Sequence, residues 1–293
     1  MTTSAHVVGH LTPGIGLMVL GFWHLFNHIK LHLQNPISYV SSPWFSTSKI
    51  KYLELYIIML ETSISMSIEV FFASEWHQLF HPNEAYPSNN LHNYEHSIIL
   101  TTFFVYAGFA IILDILKPKA RYALTQSLLA LAFVQVLFLI HFHAADHVGI
   151  EGQYHSLFEI TLVVSLATIL LGIRYPRSFI ISFIRSTCFI YQGFWFAFTG
   201  FMLWTPSMVP KGCSLYPEGG RQMVRCNGDE DLSRAKSLAN IQFSWGLIAV
   251  TIIVVSFYLI LNKLHTKKIE YSKLSSETLM FEEDSDDVET PKK

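Results

Sequence analysis

Apolar residues run along this chain in long stretches, and polar residues collect between them. Seven stretches stand out, roughly Thr12–Leu31, Ile50–Phe72, Ser97–Leu116, Tyr122–His141, Tyr154–Ile173, Phe179–Trp204 and Asn240–Leu261. Each holds about 20 residues, the helical length that crosses a hydrocarbon core about 30 Å thick. The pattern predicts an all-α fold, a polytopic membrane bundle of about seven transmembrane helices. Residues 1–265 form the expected transmembrane domain. After Lys268 no hydrophobic period recurs, so 266–293 reads as an acidic, disordered cytosolic tail.

Composition agrees with lipid as the solvent. Only 14% of the 293 residues are charged and 51% are hydrophobic, where a soluble domain carries about 25% charged residues. The net charge of −2 comes with no basic cluster, which removes nucleic acid as a partner. Met1 to Thr12 contain no Lys or Arg, so the basic region of a cleaved leader is missing and the first run reads as a retained helix.

Loop charge orients the stack. Lys30, Lys49 and Lys51 follow the first helix; Lys117, Lys119 and Arg121 follow the third; Arg174 and Arg177 follow the fifth; Lys263, Lys267 and Lys268 end the seventh. The N-terminus, 73–96 and 144–153 have none. Positive loops stay in the cytosol, so the N-terminus is expected outside or in a lumen and the C-terminus in the cytosol. The loop 205–239 mixes both signs and holds Cys213 and Cys226. An oxidising compartment on that side favours a disulfide between them; two unpaired thiols are the alternative.

Ionisable groups inside a bilayer are costly and often mark a site. Glu54, Glu61 and Glu69 fall within an arc of roughly 80° on the second helix. Glu54 has Lys51 close by in sequence as a partner, which leaves Glu61 and Glu69 as the stronger candidates. Ten of the 14 histidines map to the outer half under this topology; only His24, His28, His32 and His265 lie toward the cytosol. Around the fourth and fifth helices, His141, His143 and His147 are followed by Glu151 and His155. His143 and His147 share a face if the helix persists, whereas His141 and His143 point about 200° apart. With His10 and His96, these residues form a possible metal cluster at the outer ends of helices 1–5. Its expected ligands are His10, His96, His143 and His155, with His141 and His147 as alternatives and Glu69 as ligand or general base. A set of N and O donors suits a divalent metal such as zinc or iron. The plain alternative is a belt of His, Trp and Tyr at the headgroups.

These residues also occur in a telling order. Gly9-His10, Pro13-Gly14, Leu53-Glu54, Glu69-Val-Phe, Glu95-His96-Ser97, His141-Phe-His143, His155-Ser-Leu157 and Gln192-Gly-Phe-Trp195 together resemble the transmembrane protein 45 family, closest to its plant branch. The resemblance implies a multi-pass protein of the plasma membrane or of Golgi-type endomembranes. It carries over the polar set His10, Glu69, His96, His143 and His155, but no settled activity. One departure is visible: members often have a carboxylate just ahead of the His-x-His pair, where this chain has Gln135 and Val136.

Three functions remain open on the sequence. One is a metal-assisted membrane enzyme, the metal activating water or polarising a lipid ester. Another is a non-catalytic protein of trafficking, signalling or stress response. The third is a transporter of metal ions or protons, with Glu54, Glu61 and Glu69 as the relay.

Overall fold

A computed structural model describes residues 3–69, 91–144, 149–218 and 221–286. Among these residues seven helices follow one another: α1 Thr3–Gln34, α2 Leu53–Ser67, α3 Leu91–Leu116, α4 Arg121–Ala144, α5 Ile150–Arg174, α6 Phe179–Trp204 and α7 Asp229–Asp286. Between α6 and α7 lies a hairpin of β1 (Cys213–Glu218) and β2 (Arg221–Cys226), paired antiparallel. Among the described residues, six helices are long and apolar enough to cross a membrane; α2, with 15 residues, lies just before the described chain breaks off.

The outer surface is apolar. Val19, Leu60, Ile115, Leu131, Phe138, Ile180, Ile252 and Leu259 all point outward, while Gln126, Ser165, Gln192 and Arg185 are enclosed. A soluble protein buries the first kind and exposes the second. The inversion fits a bundle whose surroundings are lipid, an integral membrane protein.

Helix limits follow local chemistry. Lys117 takes a left-handed conformation (φ 51°) after α3, its N–H returns to Leu113 O at 3.0 Å, and Pro118 bars continuation. Ser178 accepts a hydrogen bond from the Ile181 N–H at the start of α6. The apolar window of α7 lies within Asp229–Lys267. The helix itself continues to Asp286, across positions read from sequence as an irregular tail. That stretch contains no Gly or Pro to break it.

Packing is closest between α1 and α6. A Cβ on Gly14 would sit 2.8 Å from the backbone N of Ala197, and one on Gly21 would sit 2.6 Å from that of Ile190. Gly193 faces Gly14 and Met18 in return, and Gly200 makes room for His10. Small residues let two membrane helices bring their backbones together, replacing lipid contact with dispersion. A different line on α1 faces α2: Gly9 approaches Glu69 and Gly16 approaches Glu61, while Trp23 and His24 bond Glu54. The two lines recur every seventh or eighth residue, so they keep to separate faces.

At one end of the bundle lie the start of α1, the start of α5, the end of α6 and the β-hairpin. Val224 is buried there, and its N–H donates to Glu151 Oε1 at 2.7 Å. Trp204 Nε1 donates to Gln222 O at 3.1 Å. The sulfurs of Cys213 and Cys226 are joined across the strand pair. This is called the hairpin end below, and the other the distal end.

Candidate functional site

The hairpin end holds two polar pairs. His10, 8% exposed, and His155, 6% exposed, come from α1 and α5. Their ring centroids are 6.5 Å apart, edge to face. His10 is stacked on Phe196 and tilted against Trp204, both with centroids 4.6 Å away. His155 Nδ1 lies 2.8 Å from Glu151 O, one turn back in its own helix. A carbonyl only accepts, so Nδ1 carries a proton. Glu151 is in turn fixed by Val224 of the hairpin.

The second pair is Glu69 and His96, from α2 and α3, with Oε1 and Nδ1 3.4 Å apart. Glu69 Oε2 is buried with no hydrogen-bond partner among the described residues. Its carboxylate lies against Gly9, the residue next to His10. Thus α1 is the element shared by the two pairs. Among the described residues, no three His, Cys, Asp or Glu side chains converge as one metal ion requires. The side chain of His143 and the whole of His147 lie outside the described residues, as do His77, His81 and the side chain of His92. His141 is not part of either pair. It is largely exposed and meets Glu159 of α5 at 3.4 Å, a carboxylate that sequence reasoning passed over.

The distal end contains a polar centre that the sequence did not suggest. Glu54 accepts from Trp23 Nε1 at 2.9 Å and from the Phe45 N–H at 2.8 Å, and meets His24 Nε2 at 2.8 Å. Proximity in sequence pointed to Lys51 as its partner, and that expectation is corrected here. Lys51 bonds Asp114 of α3 instead, at 2.5 Å. The loop after α1 brings the Phe45 N–H to the carboxylate, and Glu54 faces inward while Lys51 is exposed.

Next to Glu54, His24 and His28 are edge to face with centroids 5.9 Å apart. His28 is fully enclosed; its Nδ1 is 2.9 Å from the Tyr39 hydroxyl and its Nε2 is 3.4 Å from Arg185 Nη2. A guanidinium only donates, so Nε2 accepts and Nδ1–H donates to Tyr39 oxygen. Burial raises the Tyr39 phenol above its ordinary range, so it stays protonated. The clues to this centre were in the sequence: an Arg inside an apolar run, and two His four residues apart on α1. Glu61 lies midway between the two ends, with Oε1 buried and lacking a partner among the described residues.

The hairpin end therefore offers two imidazoles and a carboxylate–imidazole pair around α1, suited to holding a cation or moving a proton. The distal centre is a buried polar network that ties α1, α2, α6 and the 35–52 loop together. Residues 122–259, from the start of α4 into α7, match the model of a family of unknown function, DUF716.

Proposed function

We propose that this integral membrane protein binds a divalent metal such as zinc or iron at the hairpin end. His10 and His155 are ligands through ring nitrogens, and His96 and His143 complete the set. Glu69 serves as a further ligand or as the base that takes a proton from metal-bound water. The observation that carries this reading is His155. Its Nδ1–H is engaged by the Glu151 carbonyl at 2.8 Å, the arrangement that orients a metal-bound imidazole and leaves Nε2 as the donor. His10, buried beside it from another helix, supplies a second nitrogen. The loop-charge pattern supports an external or lumenal hairpin end and a cytosolic C-terminus. The resemblance to the transmembrane protein 45 family, with plasma membrane or Golgi-type membranes as the location, is part of the same reading and is supported by the motif order.

Metal analysis of the full-length protein, purified in detergent without chelator, tests this. About one zinc or iron per chain is expected, lost in His155→Ala and retained in His141→Ala, with both variants monodisperse. Wild-type protein without stoichiometric metal overturns the reading and leaves a non-catalytic role in trafficking, signalling or stress response.

A further inference from the structure

The turn from α3 into α4 brings two opposite charges to one cavity at the distal end. Asp114 lies two residues before the end of α3, and Arg121 begins α4. Both line a cavity of about 160 Å³, together with Ser42, Trp44 and Thr125. Arg121 acts on Asp114 through space. Yet none of the ion pairs among the described residues joins the two or includes Arg121. Lys51 and Tyr52 do bond Asp114, and both take the same oxygen, Oδ2. Neither is among the described residues that line the cavity. Oδ1 receives no hydrogen bond among the described residues, although each carboxylate oxygen accepts about two.

The hydroxyls in the wall offer the same sign. Ser42 Oγ gives its proton to Trp44 O, and Thr125 Oγ1 gives its proton to Arg121 O. A hydroxyl whose proton is engaged has only lone pairs left. Three acceptor side chains therefore line the cavity, matching the three donors of a primary ammonium. Pro43 and Ala110 add apolar wall, suited to methylenes. The volume equals roughly five waters at about 30 Å³ each. That is room for the four heavy atoms of an aminoethyl ester, but not for the seven of its trimethylated counterpart.

We infer that this cavity binds a zwitterion of primary ammonium and phosphate, the chemistry of an ethanolamine headgroup. The ammonium is bonded by Asp114, Ser42 and Thr125, and the phosphate is held by Arg121, which is exposed at the rim. The turn between two membrane-spanning helices puts the site at the level of lipid headgroups. Free phosphoethanolamine carries the same chemistry. The site shares no residue with the metal reading and does not depend on it.

The test uses full-length protein in nanodiscs of phosphatidylethanolamine and phosphatidylcholine, equal in amount and identical in acyl chain. Native mass spectrometry of the released protein should show phosphatidylethanolamine retained about tenfold over phosphatidylcholine, the worth of one charge-assisted hydrogen bond. Asp114→Asn keeps an oxygen for Lys51 and Tyr52 but turns an amide donor toward the cavity. Thr125→Val keeps the shape and removes the hydroxyl. Loss of the preference in either variant, with the protein monodisperse, supports a headgroup site. Free phosphoethanolamine, titrated into the protein in detergent, addresses the other source. A saturable rise in melting temperature, absent with phosphocholine and in Asp114→Asn, assigns the site to a soluble zwitterion where the lipid preference is missing. The inference is overturned if wild type shows neither response, if the choline probes act equally, or if the response is unchanged in both variants.

Discussion

Glu54→Ala isolates the distal centre. The substitution removes the acceptor shared by Trp23 Nε1, His24 Nε2 and the Phe45 N–H, at 2.9, 2.8 and 2.8 Å. Glu54 is 6% exposed, so water does not replace it without opening the packing. A buried donor left without an acceptor costs about 1–3 kcal/mol. Side-chain bonds within membrane bundles average only about 0.6 kcal/mol, because the unfolded chain in lipid also finds partners. With the backbone donor at the first figure and the two side chains at the second, the loss is about 2–4 kcal/mol. For a chain of this size that lowers the melting temperature by roughly 4–16 °C. Glu54→Gln keeps one oxygen but turns an amide N–H₂ toward a donor, and should fall about halfway. Lys51→Ala should leave the melting temperature of the centre unchanged, since its ammonium bonds Asp114. Thermal unfolding of the detergent-solubilised protein, followed by size-exclusion chromatography of the heated sample, measures all three. A Glu54→Ala protein melting within about 1 °C of wild type would refute the reasoning.

Two more perturbations address other parts of the fold. Gly21→Leu places a side chain where even a Cβ would be 2.6 Å from Ile190 N; overpacking of this kind costs about 1–3 kcal/mol or more, and an earlier melting transition with loss of the monodisperse peak is expected. Cys213→Ser opens the link between residues 13 apart in sequence, worth about 3 kcal/mol to the hairpin by loop closure; in wild type a membrane-impermeant maleimide should label neither cysteine until a reductant is added, and labelling beforehand would contradict the disulfide.

The elements that the sequence revealed are those in which length and composition suffice. Phe179–Trp204 is both the apolar run and α6, because Pro176 and Ser178 stop it at one side and Thr205-Pro206 at the other. α5 starts at Ile150, before the apolar run at Tyr154, because Gly149 (φ 96°) lets the chain turn directly into a helix. The hairpin was not legible: Cys213–Glu218 contains Pro217, and in Arg221–Cys226 the apolar Met223 and Val224 are adjacent, so no period of two stands out. Nor was the partnership of α1 with α6, since glycines on two distant segments declare close packing without naming each other. At the site, His10 and His155 could be selected from residue type and position, whereas their contact depends on the slot left by Gly200. The Glu54 partner was misread because sequence neighbours were favoured over His24, 30 positions away. Arg185 carries the same kind of signal as the histidines and carboxylates, a lone guanidinium in an apolar helix, but its partners Ser41 and His28 are more than 140 positions away.

The intimate union of α1 with α6 imposes an order on biosynthesis. α1 leaves the ribosome first and its mate is completed only after residue 204. Until then the grooves at Gly14 and Gly21 of α1 must wait in the translocon's shelter or in lipid with their final neighbours unmade. Packing of α3, α4 and α5 on successive neighbours therefore precedes the seam that α1, the oldest segment, makes with α6. A chain shortened before α6 would retain most of its apolar spans and still lack the seam that turns them into one body.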